Sequence, residues 1–212
     1  MGLIVIPFIY LASVWKTLPL QVPTHFDLAG NPNGWTEKNS MPLLFVGLQI
    51  GTYLLMLFIP RFDPKKKIEQ MGEKYYSLRL IITLFMSAIS VYLLYVSTKS
   101  ELNPNFLFAL IGAFFVVLGN YFQTVKPNYF IGIRTPWTLE NEDIWKKTHR
   151  IGGKLWVIGG LIIILIAFIT KNNFVLSISF GTVTSIITFA PIVYSYLEYR
   201  KMKNNNLTNS ND

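Results

Sequence analysis

"LWVIGGLIIILIAFITKNNFVLSISFGTVTSIITFAPIVYSYL", residues 155–197, decides the fold of this chain. The run contains two apolar stretches, 155–170 and 174–197, with no Asp, Glu, Lys, Arg or His, separated by a short polar turn at Lys171. A helix needs about 20 such residues to cross the roughly 30 Å hydrocarbon core of a bilayer. The run therefore predicts two transmembrane helices joined by a tight turn.

The rest of the chain repeats this pattern. Three further stretches without those five residue types occupy residues 41–60, 80–96 and 102–125. Residues 1–18, interrupted only by Lys16, are a sixth candidate. They are interpreted as a membrane helix and not as a signal peptide, because they lack a positive start and a small-residue cleavage site. Only 14% of the residues are charged, against about 25% in soluble domains. The sequence predicts an all-α integral membrane protein, a bundle of six transmembrane helices.

The distribution of cations predicts the orientation. If both termini are cytoplasmic, all but four of the 19 Lys and Arg residues lie in inner loops or in the C-terminal tail. The four outer cations are Lys16, Lys38, Lys99 and Lys171. Inner loops are expected to hold the excess of positive charge. The net charge of +8 thus follows from topology, with attraction to anionic lipid as a by-product, and it does not predict direct binding of nucleic acid.

The loops divide the chain into two units and a tail. Residues 1–60 form a two-helix unit with an outer loop at 19–40, and residues 61–202 form a four-helix unit. The long inner loop of the second unit, residues 126–153, is called the signature segment below. Residues 203–212 are polar and low in complexity, so we expect a disordered tail.

The signature segment is unusually apolar for a loop. Its first part, "NYFIGIRTPWTL" (128–139), is expected to tuck against the inner mouth of the bundle, since exposed loops rarely carry so much apolar surface. Acidic side chains then precede basic ones, the order that a helix dipole favours. This order predicts one amphipathic interfacial helix, capped at Thr135 or Thr138 and ending at residues 152–153, with Trp137 and Trp145 toward lipid.

Arg134 is the single cation within that apolar stretch. One hypothesis is that its guanidinium binds an acidic group on a partner or ligand. The other is that it locks the loop through a lipid phosphate or a helix end. The surrounding residues favour the second hypothesis, with the fixed loop then presenting Trp137 and the following helix.

The outer loop has a different character. "PTHFDLAGNPNGW" (23–35) alternates apolar and polar residues, which predicts a short extended piece followed by a turn. His25 and Asp27 are too few to complete a zinc site, which takes four ligands. His149, the other histidine, is predicted on the opposite side of the bilayer. No metal and no cofactor are predicted.

The signature segment resembles the hallmark of a known family. "NYFIGIRTPWTLENEDIWKKTHRIGGKLW" (128–156) is similar to the corresponding segment of the SdpI-type immunity proteins of Gram-positive bacteria. The matching positions include Asn128, Ile131, Gly132, Arg134, Thr135, Pro136, Trp137, Thr138, Leu139, Trp145, His149 and Arg150. Residues 23–34 resemble an uncharacterised domain that often begins such proteins.

The resemblance implies a function. Members of the family protect a bacterial cell against a secreted peptide toxin, and some also hold a helix-turn-helix repressor at the cell membrane. The implied partner-binding residues of the inner loop are Asn128, Gly132, Arg134, Thr135, Pro136, Trp137, Thr138, Trp145, His149 and Arg150. The implied toxin-facing residues of the outer loop are His25, Asp27, Gly30 and Trp35.

Two other classes of function compete with this one. An exporter of a peptide or amphiphile is the alternative, although coupled transport usually places ionisable groups at mid-membrane and these stretches have none. An enzyme is disfavoured, because the sequence contains no H-E-x-x-H motif, no paired carboxylates in a span and no Ser–His set on one side of the bilayer.

Overall fold

The computed structural model describes residues 2–27, 32–64, 66–99 and 104–208. A short helix and a β-hairpin precede a set of longer helices, and a π-helical turn at Val46–Gly51 joins α2 to α3. The elements are α1 (Gly2–Val14), β1 (Gln21–Phe26), β2 (Pro32–Glu37), α2 (Met41–Phe45), α3 (Thr52–Phe62), α4 (Glu73–Ser97), α5 (Pro104–Phe122), α6 (Pro136–Glu140), α7 (Glu142–Ile169) and α8 (Asn173–Thr208).

Long apolar helices dominate the described part of the chain. Five helical stretches there are long and apolar enough to cross a membrane: Lys38–Phe62, Glu73–Ser97, Pro104–Phe122, Glu142–Ile169 and Asn173–Asn205. The sixth candidate, α1, is apolar but has only 13 residues. The predicted class, a helical multi-pass membrane protein, is confirmed.

Helices α5 and α7 run antiparallel with their backbones in contact. A Cβ atom added at Gly119 would lie 2.7 Å from the Gly153 carbonyl oxygen, and one at Gly112 would lie 2.8 Å from that of Gly160. Small residues permit such close approach in membranes, where dispersion contacts replace the hydrophobic effect between helices. These glycines mark close helix packing.

A second group consists of α1, α3 and α4, joined by buried polar side chains. Gln49, in the π-helical turn, donates to Ser90 Oγ at 2.9 Å. Ser87 Oγ lies 3.2 Å from Gln49 Oε1 and donates to the Leu3 carbonyl oxygen at 2.5 Å. That carbonyl needs a partner because Pro7, four residues on, has no N–H. The Gln49 side chain therefore forms hydrogen bonds to a neighbouring helix.

The β-hairpin is an addition to the predicted helical bundle. Strands β1 and β2 pair antiparallel from Gln21–Glu37 to Phe26–Pro32, with irregular register at His25. A two-stranded sheet is marginal alone, and here Val22 is fully buried in a cluster with Leu11 and Met41. The end of the bundle that carries this sheet is called the hairpin end, and the opposite end is called the signature end.

The predicted separate interfacial helix does not form. Instead, α7 runs without interruption through residues 152–153 into the apolar stretch that follows. Glycine weakens an isolated helix by about 1 kcal/mol, but both glycines here pack against other elements. Gly153 faces the Gly119 carbonyl, and Gly152 faces Ile133 and Pro191. The two glycines, expected to end a helix, thus serve as packing contacts within a continuous α7.

The C-terminal helix is also longer than expected. Residues 203–208, where composition predicted a disordered tail, continue α8, and residues 209–212 lie outside the described part. Extending an existing helix avoids the costly nucleation step. The polar composition therefore does not prevent helix formation here.

Candidate functional site

The first part of the signature segment is an ordered turn built around Asn128. This side chain is 2% exposed. Its Nδ2 group donates to the carbonyl oxygens of Lys126 at 2.8 Å and Ile131 at 3.1 Å. Its Oδ1 atom accepts the N–H groups of Phe130 at 2.8 Å and Ile131 at 2.7 Å. One amide therefore satisfies backbone groups that no regular element would pair.

Gly132 and His149 clasp the turn to α7. Gly132 has φ +109°, and a Cβ atom there would collide with His149 Nε2. That nitrogen accepts the Ile133 N–H at 3.0 Å, while Nδ1 lies 2.9 Å from the Trp145 carbonyl oxygen. A carbonyl can only accept, so Nδ1 carries the proton and Nε2 carries none. The buried imidazole is thus neutral, and both of its nitrogens are hydrogen-bonded to backbone groups, so neither is free to bind a partner.

Two threonines start α6, and an asparagine starts α7. The Thr138 N–H donates to Thr135 Oγ1 at 3.3 Å, and the Thr135 N–H donates to Thr138 Oγ1 at 2.8 Å. This capping box starts a five-residue helix, and not the longer helix that the threonines were predicted to cap. Asn141 Oδ1 caps α7 by accepting two backbone N–H groups. Asn141 was not predicted as a cap, although an asparagine directly before acidic residues is typical of one.

Trp145 lies inside the protein, so its predicted orientation toward lipid was wrong. It is 1% exposed, donates from Nε1 to the Val125 carbonyl oxygen at 2.8 Å, and stacks on His149 with ring centroids 4.0 Å apart. Its cluster also contains Met56, Ile68, Met71, Tyr75, Leu78 and Tyr121. Trp145 therefore joins α7 to α3, α4 and α5 at the signature end.

Trp137 is directed at the last helix. Its Nε1 donates to Ser195 Oγ at 2.7 Å, and its ring lies against Tyr196 and Tyr199 of α8. The ring thereby fixes α6 on α8, and the side chain is only partly exposed. It packs within the protein, where the sequence predicted an anchor in lipid.

Three of the ten predicted inner-loop residues are exposed: Arg134, Pro136 and Arg150. The Arg134 guanidinium donates to the Tyr129 carbonyl oxygen within the same loop. This contact is consistent with a locking role, and it leaves the remaining N–H groups of the guanidinium at the surface. The other seven predicted residues hold the loop together or attach it to α7 and α8.

A polar pocket lies beside these residues, between the start of α7 and the end of α8. It has a volume of about 250 Å³. Lys147 Nζ lies 2.6 Å from Glu198 Oε2 across it, and its lining includes Asp143, Lys201 and Asn205. Glu198 was not among the predicted site residues, although it is the one acidic residue after residue 143 and before the tail.

The predicted outer residues lie at the hairpin end, far from the signature segment along the helices. His25 Nδ1 lies 2.5 Å from Asn33 Oδ1, and Trp35 is 56% exposed. Asp27 follows β1, and Gly30 lies outside the described residues. The structure therefore forms two separate surfaces. Across the described ranges, no group of three or more His, Asp or Glu side chains is placed to hold a metal ion.

Comparison with known proteins confirms the resemblance. Residues 124–195 match the SdpI/YfhL protein family, and residues 2–50 match a domain of unknown function, DUF1648. The Immunity protein SdpI of Bacillus subtilis (strain 168) is 25% identical over 207 residues, which cover 95% of each chain. No solved structure matches the chain. The chain is thus a multi-pass membrane protein of the bacterial cell membrane that is similar to Immunity protein SdpI along nearly its whole length.

Proposed function

We propose that this SdpI-like chain protects the bacterium that makes it against a secreted antimicrobial peptide, by binding and without catalysis. The observation that carries the proposal is the end-to-end similarity to Immunity protein SdpI, over 95% of both chains. This similarity includes both the hairpin end and the signature end. A helical bundle with one surface at each end suits a protein that meets a secreted agent on one side of the membrane.

The proposal includes a topology of six crossings, with both termini and the signature end in the cytoplasm. The concentration of cations in the loops of the signature end supports this orientation. Helix α1 spans about 20 Å at 1.5 Å per residue, so it crosses only if the bilayer thins locally beside it. The β-hairpin then faces the exterior, from which a secreted peptide arrives.

The two surfaces have separate roles in this proposal. At the hairpin end, the exposed ring of Trp35 and the adjacent His25 meet the peptide. At the signature end, Arg134, Arg150 and the pocket with the Lys147–Glu198 pair meet a cytosolic protein, such as a helix-turn-helix repressor. The buried residues of the signature segment keep that second surface in one conformation.

A complementation experiment tests protection. The chain is expressed in a derivative of Bacillus subtilis (strain 168) from which the gene for Immunity protein SdpI has been deleted. The cells are exposed to culture supernatant of the parent strain and to a panel of peptides secreted by other Gram-positive bacteria. Survival above that of the empty-vector strain is expected for at least one agent. The positive control is the deletion strain with the gene for Immunity protein SdpI restored. If the strain expressing this chain is as sensitive to every agent as the empty-vector strain, at a membrane protein level equal to that of the positive control, the proposal is refuted.

A second measurement separates binding from export. Peptide carrying a fluorescent label should accumulate on cells that express the chain, because a binding protein retains it. Loss of the label that stops when the proton gradient is collapsed would instead identify an exporter.

A further inference from the structure

The two groups of helices leave a deep groove between them. The groove lies among α1, α4 and α5 and has a volume of about 1150 Å³. This volume is larger than the roughly 300–1,000 Å³ typical of small-molecule pockets. Its walls are mainly apolar and aromatic, with Leu3, Tyr10, Val91, Tyr95 and Phe106 among them. Because α4 and α5 are both long enough to span a membrane, the groove faces hydrocarbon along most of its length.

The length of the groove matches one leaflet. It runs from Leu84 along α4 to Lys99, which lies two residues past the end of the helix at Ser97. The helical part alone is about 20 Å long at 1.5 Å per residue. A bilayer is about 40–45 Å thick with its headgroups, so one leaflet is roughly 20–22 Å. A lipid with its headgroup at Lys99 would therefore reach the far end of the groove with its acyl chains.

The charge at the mouth selects the headgroup. Lys99 is the one charged residue among the described residues that line the groove, and no acidic side chain accompanies it. It follows the C-terminal end of α4, and its Nζ lies 5.4 Å from the centroid of the Tyr95 ring. A cation at headgroup depth above apolar walls suits a phosphate on two acyl chains.

The floor of the groove offers little to a peptide. Ser87 is 3% exposed, and its hydroxyl proton is used by the Leu3 carbonyl. Gln49, behind it, is bonded to Ser90. Since these polar groups are already paired, the deep part of the groove recognises hydrocarbon and not a polar backbone.

We propose that this groove binds one anionic phospholipid from the leaflet at the hairpin end, with its phosphate beside Lys99 and its chains packed among α1, α4 and α5. Protein interiors are close-packed and contain few large voids, so a groove of this size needs an occupant, and the lipid fills it. It thereby connects the α1–α3–α4 group to the α5–α7–α8 group.

Native mass spectrometry tests the proposal. The full chain is reconstituted in nanodiscs of phosphatidylcholine and phosphatidylglycerol in equal amounts, and the lipid that remains bound after release is identified. Wild type should retain one phosphatidylglycerol per chain. Lys99→Gln should lower the preference for phosphatidylglycerol about fivefold, the effect of one lysine near an anionic headgroup. Lys171→Gln, at an exposed outer lysine away from the groove, is the matched control and should keep the preference.

A second pair of variants tests the site itself. Ala88→Trp fills the groove and should abolish retention, and Val91→Trp is the alternative if that chain fails to insert. Ala12→Trp, on the exposed side of α1, should retain lipid as wild type does. Retention unchanged in both groove variants, or a preference unchanged in Lys99→Gln, would overturn the proposal. A change of oligomer mass or a loss of peptide protection in Ala88→Trp with lipid still bound would also overturn it, by assigning the groove to another chain or to the peptide.

Discussion

Replacing Gly132 with alanine should loosen the turn of the signature segment without unfolding the bundle. The backbone there has φ +109°, a region that favours glycine, and the new Cβ atom would collide with His149 Nε2. The strained conformation costs about 1–3 kcal/mol. Displacing the imidazole also breaks its hydrogen bond with the Ile133 N–H, which contributes about 1 kcal/mol. Together these effects lower the local free energy of opening by about 3 kcal/mol.

Hydrogen–deuterium exchange of the protein in nanodiscs measures this quantity directly. A loss of about 3 kcal/mol corresponds to roughly a hundredfold faster exchange of the amides in residues 123–135. Exchange in α5 should change far less, since the helix packing is untouched. Gly181→Ala is the matched control, because no heavy atom lies within 4 Å of a Cβ added there, and its exchange should be unchanged or slower.

A double-mutant cycle separates the two causes. In a His149→Ala background the collision is gone, so Gly132→Ala should cost only the backbone strain. The two substitutions should therefore be less than additive in their effect on exchange. Additive effects, or unchanged exchange of residues 123–135 in Gly132→Ala alone, would refute the clasp formed by Gly132 and His149.

Three further predictions concern helix packing and the exposed surface. Gly119→Ala should destabilise the α5–α7 contact by about 2 kcal/mol in unfolding by SDS, whereas Gly47→Ala, which meets open space, should not. Trp137→Phe and Ser195→Ala should each lower the free energy of unfolding by about 1 kcal/mol, and the double variant should lose little more, because both remove one hydrogen bond; full additivity would contradict the contact. Arg134→Ala should insert normally yet abolish protection or repressor capture in the complementation strain; full protection together with undiminished repressor capture, at an equal protein level, would exclude a role for its guanidinium.

The sequence alone predicted much of the architecture. The apolar stretches predict the membrane-spanning helices because the free energy of transferring a segment into hydrocarbon depends on its own composition and not on its neighbours in the fold. Alternation and turn residues likewise identified the extended piece that became β1, and the threonines of the capping box acted within one turn of chain. The signature segment carried the resemblance because its residues are consecutive.

Tertiary structure alone decided what each apolar surface faces. Lipid tails are as apolar as leucine, so hydropathy cannot distinguish a tryptophan in the bilayer from Trp145 buried at 1% exposure inside the bundle. Likewise, the low helix propensity of glycine predicted a helix end at Gly152 and Gly153. In the structure these glycines pack against neighbouring elements, and α7 continues through them. The groove beside Lys99 likewise arises only when α1, α4 and α5 come together, because its walls belong to three separate parts of the chain.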